Sequence, residues 1–265
     1  MERESIGALM TTIAQISSML DTNPNDWREH LPSARHVTAS LDFVNYPAGP
    51  EEKQRQIQII ELFQRFAHID VDSGGITDVS SWCLRQSLSL LQLYPEDVDL
   101  LRLIGQNWLL RAQPFLARIH LVDGSSSSSG GSVGETTSVS HLTRSEEERQ
   151  AIRAAAEAEE RLHTADYVEA RGILLPAVEY LSRAVEATQS QGPLSGALLA
   201  TAAEAYMSLG NVSYTRVNER YFRQALTYLR LASGQHGYNL PAHLQQYLDD
   251  YGPFDLFNEE GVPLR

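Results

Sequence analysis

Apolar residues recur at three- and four-residue steps through most of this chain. No stretch alternates with the two-residue period of a half-buried strand. Ile6, Leu9, Met10, Ile13, Ile16 and Leu20 form one face of a helix over about 5–20. Ala34, Val37, Leu41 and Val44 do the same after Pro32-Ser33, and Ile57, Ile60, Phe63 and Phe66 or Ala67 do so over about 51–68. Asn23-Pro24-Asn25-Asp26, Pro47 to Pro50, Ser73-Gly74-Gly75 and Tyr94-Pro95 separate these segments. A cap at Asp78 or Ser80 predicts a helix ending at Tyr94, followed by one over about 97–112 and a shorter one from Pro114. Beyond them, helices are expected near 145–163, 166–188, 194–214, 218–233 and 240–250, with a kink or break at Pro176. Leucine and alanine outweigh valine and isoleucine, which favours the same all-α class.

One stretch breaks the pattern. Residues 124–143 read GSSSSSGGSVGETTSVSHLT, with almost nothing to bury and nothing to hold one backbone conformation. The expected organisation is therefore an N-terminal helical block over 1–123, a disordered, flexible Ser/Gly-rich linker over 124–144 and a C-terminal helical block over 145–265. The serine run is also a target for phosphorylation, although a solvated connector is the plainer reading. Ser145-Glu146-Glu147-Glu148 reads as a capping box opening the second block.

Charge narrows the ligand class. The net charge is -13. Residues 1–123 hold 10 Lys/Arg against 16 Asp/Glu, and residues 145–265 hold 10 against 17. Both blocks would be repelled by a phosphate backbone, so no nucleic acid is expected as a partner. The single cysteine, Cys83, excludes an intrachain disulfide and a cysteine-rich zinc site. No apolar run approaches a membrane span, and the opening Met1-Glu2-Arg3-Glu4 makes a poor secretory signal. A soluble protein of the cytoplasm or nucleus is the expectation.

Two segments carry more than periodicity. Leu101-x-x-Ile104-Gly105-x-x-Trp108 is followed by Ala117, twelve residues after the glycine, and by Leu121, with Pro95 just before. Ala203-Glu204-Ala205-Tyr206-x-x-Leu209-Gly210-Asn211 has Tyr214 nearby and Ala225, Leu229 and Ala232 downstream. Its alanine lies fifteen residues after Gly210, which predicts a longer turn around Arg216 to Arg220. Asp166-Tyr167-x-x-Ala170-x-x-x-Leu174 is a partial third match, and Cys83 takes a small-residue position twelve before Pro95. Glycine and the later alanine let two helices approach closely while large residues fill the space around them.

Over residues 78–121 and 145–234 the chain thus resembles tetratricopeptide-repeat-like proteins. The resemblance implies antiparallel helix hairpins stacked as a short right-handed superhelix, with a concave groove for peptides or partner helices. Chaperone-binding members of that family grip a C-terminal carboxylate with lysine, asparagine and arginine on their first helices. Here Asn211 matches one asparagine position, but Met207 stands where lysine is expected, and Arg102 and Gln106 take the equivalent places at the other repeat. Lys53 is the chain's only lysine, so that clamp is not expected.

Searching for chemistry returns little. G-x-G-x-x-G, G-x-x-x-x-G-K and H-E-x-x-H are all missing from the sequence. His30 and His36, and His236 and His243, lack usual ligand spacings, so neither metal nor cofactor is expected. Cys83 falls on an apolar face and reads as a packed small residue. Asp249-Asp250 point apart on a helix. Phe254-Asp255-Leu256-Phe257 reads either as a cap on the last repeat or as a motif docking to an adaptor. Arg216, Arg220, Arg223 and Arg230 read either as a patch for an acidic partner or as members of internal ion pairs.

The expected function is a non-catalytic scaffold or adaptor, as a free protein or a subunit of a complex, holding another protein or peptide. Its candidate contact residues are Tyr206, Asn211, Tyr214, Arg220 and Arg223. The alternatives are an enzyme or an enzyme's regulatory subunit with a site between helices, and a chromatin or transcription regulator acting through protein contacts.

Overall fold

The structure, a computed structural model, describes residues 2–44, 46, 49–71, 74–128 and 144–253. Among these residues there are ten α-helices, one 3-10 turn at Pro24–Asp26 and no strand. The helices are α1 (Glu2–Thr22), α2 (Trp27–Leu41), α3 (Pro50–Ala67), α4 (Thr77–Leu93), α5 (Val98–Ser128), α6 (Arg144–Arg161), α7 (Ala165–Gln191), α8 (Gly196–Asn211), α9 (Thr215–Ser233) and α10 (Ala242–Tyr251). No helix among the described residues is long and apolar enough to cross a membrane.

Most sequence neighbours pack together: α1 on α2, α3 on α4, α4 on α5, then α7 on α8, α8 on α9 and α9 on α10, while α3 joins the first pair through α1. In α6, residues Ala155 to Glu160 are exposed. The most extensive pair is α5 with α7. They run antiparallel, since Arg118 meets Asp166 at 2.8 Å near one end and Gln191 donates to the Glu96 carbonyl at 3.1 Å at the other. One hydrophobic core runs from Leu9 to Leu244 through both blocks.

Alternate helices also touch, and their polar ties run in parallel register. Arg65 on α3 reaches Asp21 of α1 at 2.8 Å. Trp82, Arg85 and Gln86 of α4 all donate to Asp42, at the end of α2. Arg102 on α5 reaches Glu61 of α3 at 2.9 Å, and Lys53 reaches Asp97 at 2.6 Å. α5 touches α8 as well. The α5–α7 pair is thus antiparallel, while the alternate pairs α1–α3, α2–α4 and α3–α5 run parallel.

Several local expectations are corrected. α5 is one helix across Pro114, so residues 97–121 do not form a hairpin. Gly105 still marks a close approach, but to α7: a Cβ there would lie 2.6 Å from Leu181 Cγ. Ala117 is half-buried and packs at no hairpin crossing. α7 likewise continues through Pro176. An internal proline removes one helical hydrogen bond and costs about 3 kcal/mol. The flanking Leu174, Ala177, Val178, Leu181, Ala184 and Val185, all buried, supply the packing that offsets it. α2 starts at Trp27, with Pro32 inside it. Asp78 and Ser80 sit within α4 rather than capping it: Asp78 pairs with Arg35 at 2.6 Å, and Ser80 is buried.

The α8–α9 hairpin is present, and a Cβ at Gly210 would lie 2.6 Å from the Phe222 ring. Its turn is short, however. The Val217 and Asn218 amides both bond to the Tyr214 carbonyl, so Arg216 to Arg220 already belong to α9. Residues 129–143, the greater part of the expected linker, lie outside the described residues, as does the Phe254–Phe257 motif.

Candidate functional site

The parallel alternate helices line a groove. Between α1 and α3 it opens as a recess of about 530 Å³ beside Met10, Ile13, Arg55, Glu61 and Arg65. Glu61 and Arg65 also border the next recess, about 330 Å³, with Arg102, Gln106 and Leu110 of α5 and Thr201 and Glu204 of α8. A third, about 550 Å³, lies one turn further along the same two helices, beside Gln113, Ala117 and His120 of α5 and Ser208 and Asn211 of α8. Asn211 is shared with the fourth, about 470 Å³, where Phe222, Arg223 and Leu226 of α9 meet Tyr247 and Tyr251 of α10.

Helical spacing explains this continuity. On α5, positions 102, 106, 110, 113, 117 and 120 fall within about one-third of a turn of one another at 100° per residue. On α8, positions 201, 204, 208 and 211 do the same. Each of the two helices therefore presents one polar stripe to the groove and buries its other faces.

The groove's charges are mostly paired. Arg102 holds Glu61 and bonds Gln106 at 3.1 Å, while Arg65 holds Asp21. His243 of α10 meets Glu204 of α8 at 3.2 Å. Glu219 and Arg223 pair at 2.6 Å within α9.

The five residues read from the sequence divide. Asn211 and Arg223 line the groove. Tyr206 does not: it lies two residues, about 200°, from Glu204 on α8. Its hydroxyl shares a 2.9 Å hydrogen bond with Ser182 of α7, and its ring meets Tyr228 and Tyr221 of α9. Tyr214 sits at the start of α9, with its ring 5.4 Å from His163 and the Arg171 guanidinium 4.8 Å from its centre. Arg171 also donates to the Val212 and Leu162 carbonyls, at the C-terminal ends of α8 and α6, where a cation is favoured. Arg220 donates to the Tyr221 hydroxyl at 2.8 Å and packs on that ring. Arg230 donates to the Gly252 carbonyl at 2.8 Å, tying α10 down. These arginines serve separate internal contacts rather than one patch.

Arg102, Gln106, Glu204 and Ser208 are groove residues that the sequence reading did not propose as contacts. A usable signal existed: the position after the repeat glycine, and the one four before it, gave Gln106, Arg102 and Asn211. All three line the groove.

A second cluster needs its own account. In the core of α3, α4 and α5, Ser80 Oγ lies 3.1 Å from His68 Nε2. Asn107 donates to the Gln64 carboxamide and the Ser80 carbonyl, both at 3.1 Å, and Gln64 donates to the Leu103 carbonyl. Arg111 donates to the Ser80 and Ser81 hydroxyls. A serine beside a histidine invites comparison with a hydrolase, but there a carboxylate stabilises the imidazolium. Here burial, and secondly the charge of Arg111, lower the His68 pKa to about 4. Ser80 is 2% exposed. The cluster fixes the register of three helices and holds His68 neutral.

Cys83 is fully buried and donates to the Ile60 carbonyl at 3.7 Å, with its thiol pushed up by burial. Among the described residues no group of three or more His, Cys, Asp or Glu side chains is placed to hold a metal ion.

Compared with known proteins, the chain matches no family model, no curated protein and no solved structure. The repeat resemblance therefore rests on its residues alone.

Proposed function

We propose that this chain is a non-catalytic scaffold or adaptor that holds an extended segment of another protein along the groove of a tetratricopeptide-like superhelix. One observation carries the reading: α5 and α8 turn aligned polar stripes to the same side, and recesses follow one another along α1, α3, α5 and α8, with a further one between α9 and α10 that shares Asn211. A partner chain laid along such a face gains many modest contacts, with apolar anchors at Met10, Leu110 and Phe222 between polar flanks. The buried free thiol of Cys83 fits a reducing compartment, the cytoplasm or nucleus.

The test is positional. A photo-crosslinking amino acid placed at Gln106 or Asn211 in the full chain is expected to give discrete protein adducts in cells. The same residue at exposed Glu179, on the outer side of α7, is expected to give none of those adducts. Equal adducts from all three positions, or turnover of a small molecule by the purified chain, would overturn the reading.

A further inference from the structure

The groove is not chemically uniform, and its third recess differs from the rest. The recess between α1 and α3 carries Arg55, Glu61 and Arg65, and the next carries Glu61, Arg65, Arg102 and Glu204. The one by α9 and α10 carries Glu219 and Arg223. The recess between α5, α7 and α8 is lined by Gln113, His120, Tyr167, Ser208 and Asn211, with apolar side chains completing it. Among the described residues no Asp, Glu, Lys or Arg lines it. Its volume of about 550 Å³ lies within the ~300–1,000 Å³ span of ligand sites.

Three of its polar side chains are open to a ligand, while Gln113 donates to the Leu109 carbonyl. The side chains of Ser208, His120 and Asn211 make no hydrogen bond among the described residues, whereas the charged groups elsewhere in the groove are largely engaged in ion pairs. A hydroxyl, a carboxamide and an imidazole facing one space offer donors and acceptors without a counter-charge. A charged side chain entering would meet no ion partner there, while a purely apolar one would use none of these donors and acceptors.

Resting on the groove reading, we infer that this recess is a binding site for a neutral, amide- and hydroxyl-bearing stretch of the partner. The chemistry is that of glutamine, asparagine and serine side chains together with the peptide groups between them. Gln113 and His120 face it from α5, Tyr167 from α7, and Ser208 and Asn211 from α8. The flanking recesses, with their ion pairs, then accommodate charged residues on either side.

Four capped dipeptides test this by nitrogen-edited NMR of the full chain: acetyl-Gln-Ser, acetyl-Glu-Asp, acetyl-Lys-Arg and acetyl-Leu-Leu, each as the methylamide. The Gln-Ser probe is expected to shift the Ser208, Asn211 and His120 amides, and to bind there roughly ten-fold more tightly than either charged probe, about 1.4 kcal/mol of difference. Ser208→Asp and, independently from α5, Gln113→Glu are expected to abolish that preference and bring in the Lys-Arg probe. The two variants guard against one of them disturbing the fold. If a charged or apolar probe binds best at this recess, or if neither variant changes the order, the inference is overturned while the groove reading stands. If no probe shifts any residue along the groove, both are overturned.

Discussion

The cores around α3–α4–α5 and around α7–α8–α9 are built on different rules. The first is made of large side chains: Phe63, Phe66, Ile57, Leu100 and Ile104 are almost wholly enclosed, and Phe63 meets Trp82 edge-on at 5.6 Å. At its centre lies the hydrogen-bonded cluster of Gln64, His68, Ser80 and Asn107. The second interleaves leucines such as Leu174, Leu181, Leu199 and Leu209 with many alanines, those at positions 170, 177, 184, 202, 203, 205, 225 and 232 being fully buried. Small residues let backbones approach, and the approach itself fixes how the helices sit. In the first region, directional hydrogen bonds select the register, because any slip strands a buried polar group. In the second, register is selected by where a glycine or alanine permits contact.

That contrast can be broken most forcefully at Phe63. Phe63→Ala is expected to destabilise the protein by about 3–5 kcal/mol, the range for emptying an aromatic site in a core. Chemical denaturation measures it. No single truncation among the alanines of α8 should approach that loss. A comparable drop from Ala203→Gly would mean that the two cores are not different in kind.

Next in size is the effect of acid. The unfolded His68 takes up a proton near 6.5, whereas in the folded chain it does so only near 4. Between those values the unfolded state binds more protons, so stability falls as pH falls and is fully present above the upper value. At 1.36 kcal/mol per unit, the loss reaches about 3 kcal/mol. Asp78, whose carboxyl is held low by its hydrogen bond to Arg35, also favours the folded state above its ordinary range. The decisive quantity is therefore the difference between the wild type and His68→Asn, measured across that window. A slope unchanged in the variant would remove His68 from the account.

Gly105→Ala follows. The new methyl would press on the body of Leu181 and come 3.1 Å from its backbone nitrogen, so α5 and α7 must separate. A loss of about 1–3 kcal/mol is expected, as for overpacked cores. Gly210→Ala meets only the edge of the Phe222 ring, which has more freedom to move, and should cost less. The reverse order in thermal melts would show that the α8–α9 hairpin is the tighter of the two junctions. The smallest expected effect is that of Ser182→Ala, which removes the partner of the Tyr206 hydroxyl and should cost about 1 kcal/mol.

The parts legible in the sequence were those with a local cause. The all-helical class follows from apolar spacing, since residues three and four apart share a helix face whatever the helix later meets. The close-packing role of Gly105 and Gly210 was readable because small residues flanked by large ones signal approach, although the partner of Gly105 was not. Tyr206 packs against Ser182, Tyr221 and Tyr228, away from Glu204, because an aromatic on a helix favours contact without saying on which side. The turn after Asn211 was read too long because sequence spacing to Ala225 does not reveal where α9 begins.

What the sequence determined by itself is thus the set of helices and their apolar stripes, each set by contacts within a few residues. The tertiary structure decided that Pro114 and Pro176 sit inside unbroken helices, because each long helix is supported along its length by the other and that packing outweighs a missing hydrogen bond. It also decided the groove. Glu61, Gln106 and Ser208 become neighbours along one surface only when helices distant in sequence settle into parallel register, and that register depends on a few long-range contacts that no local pattern encodes.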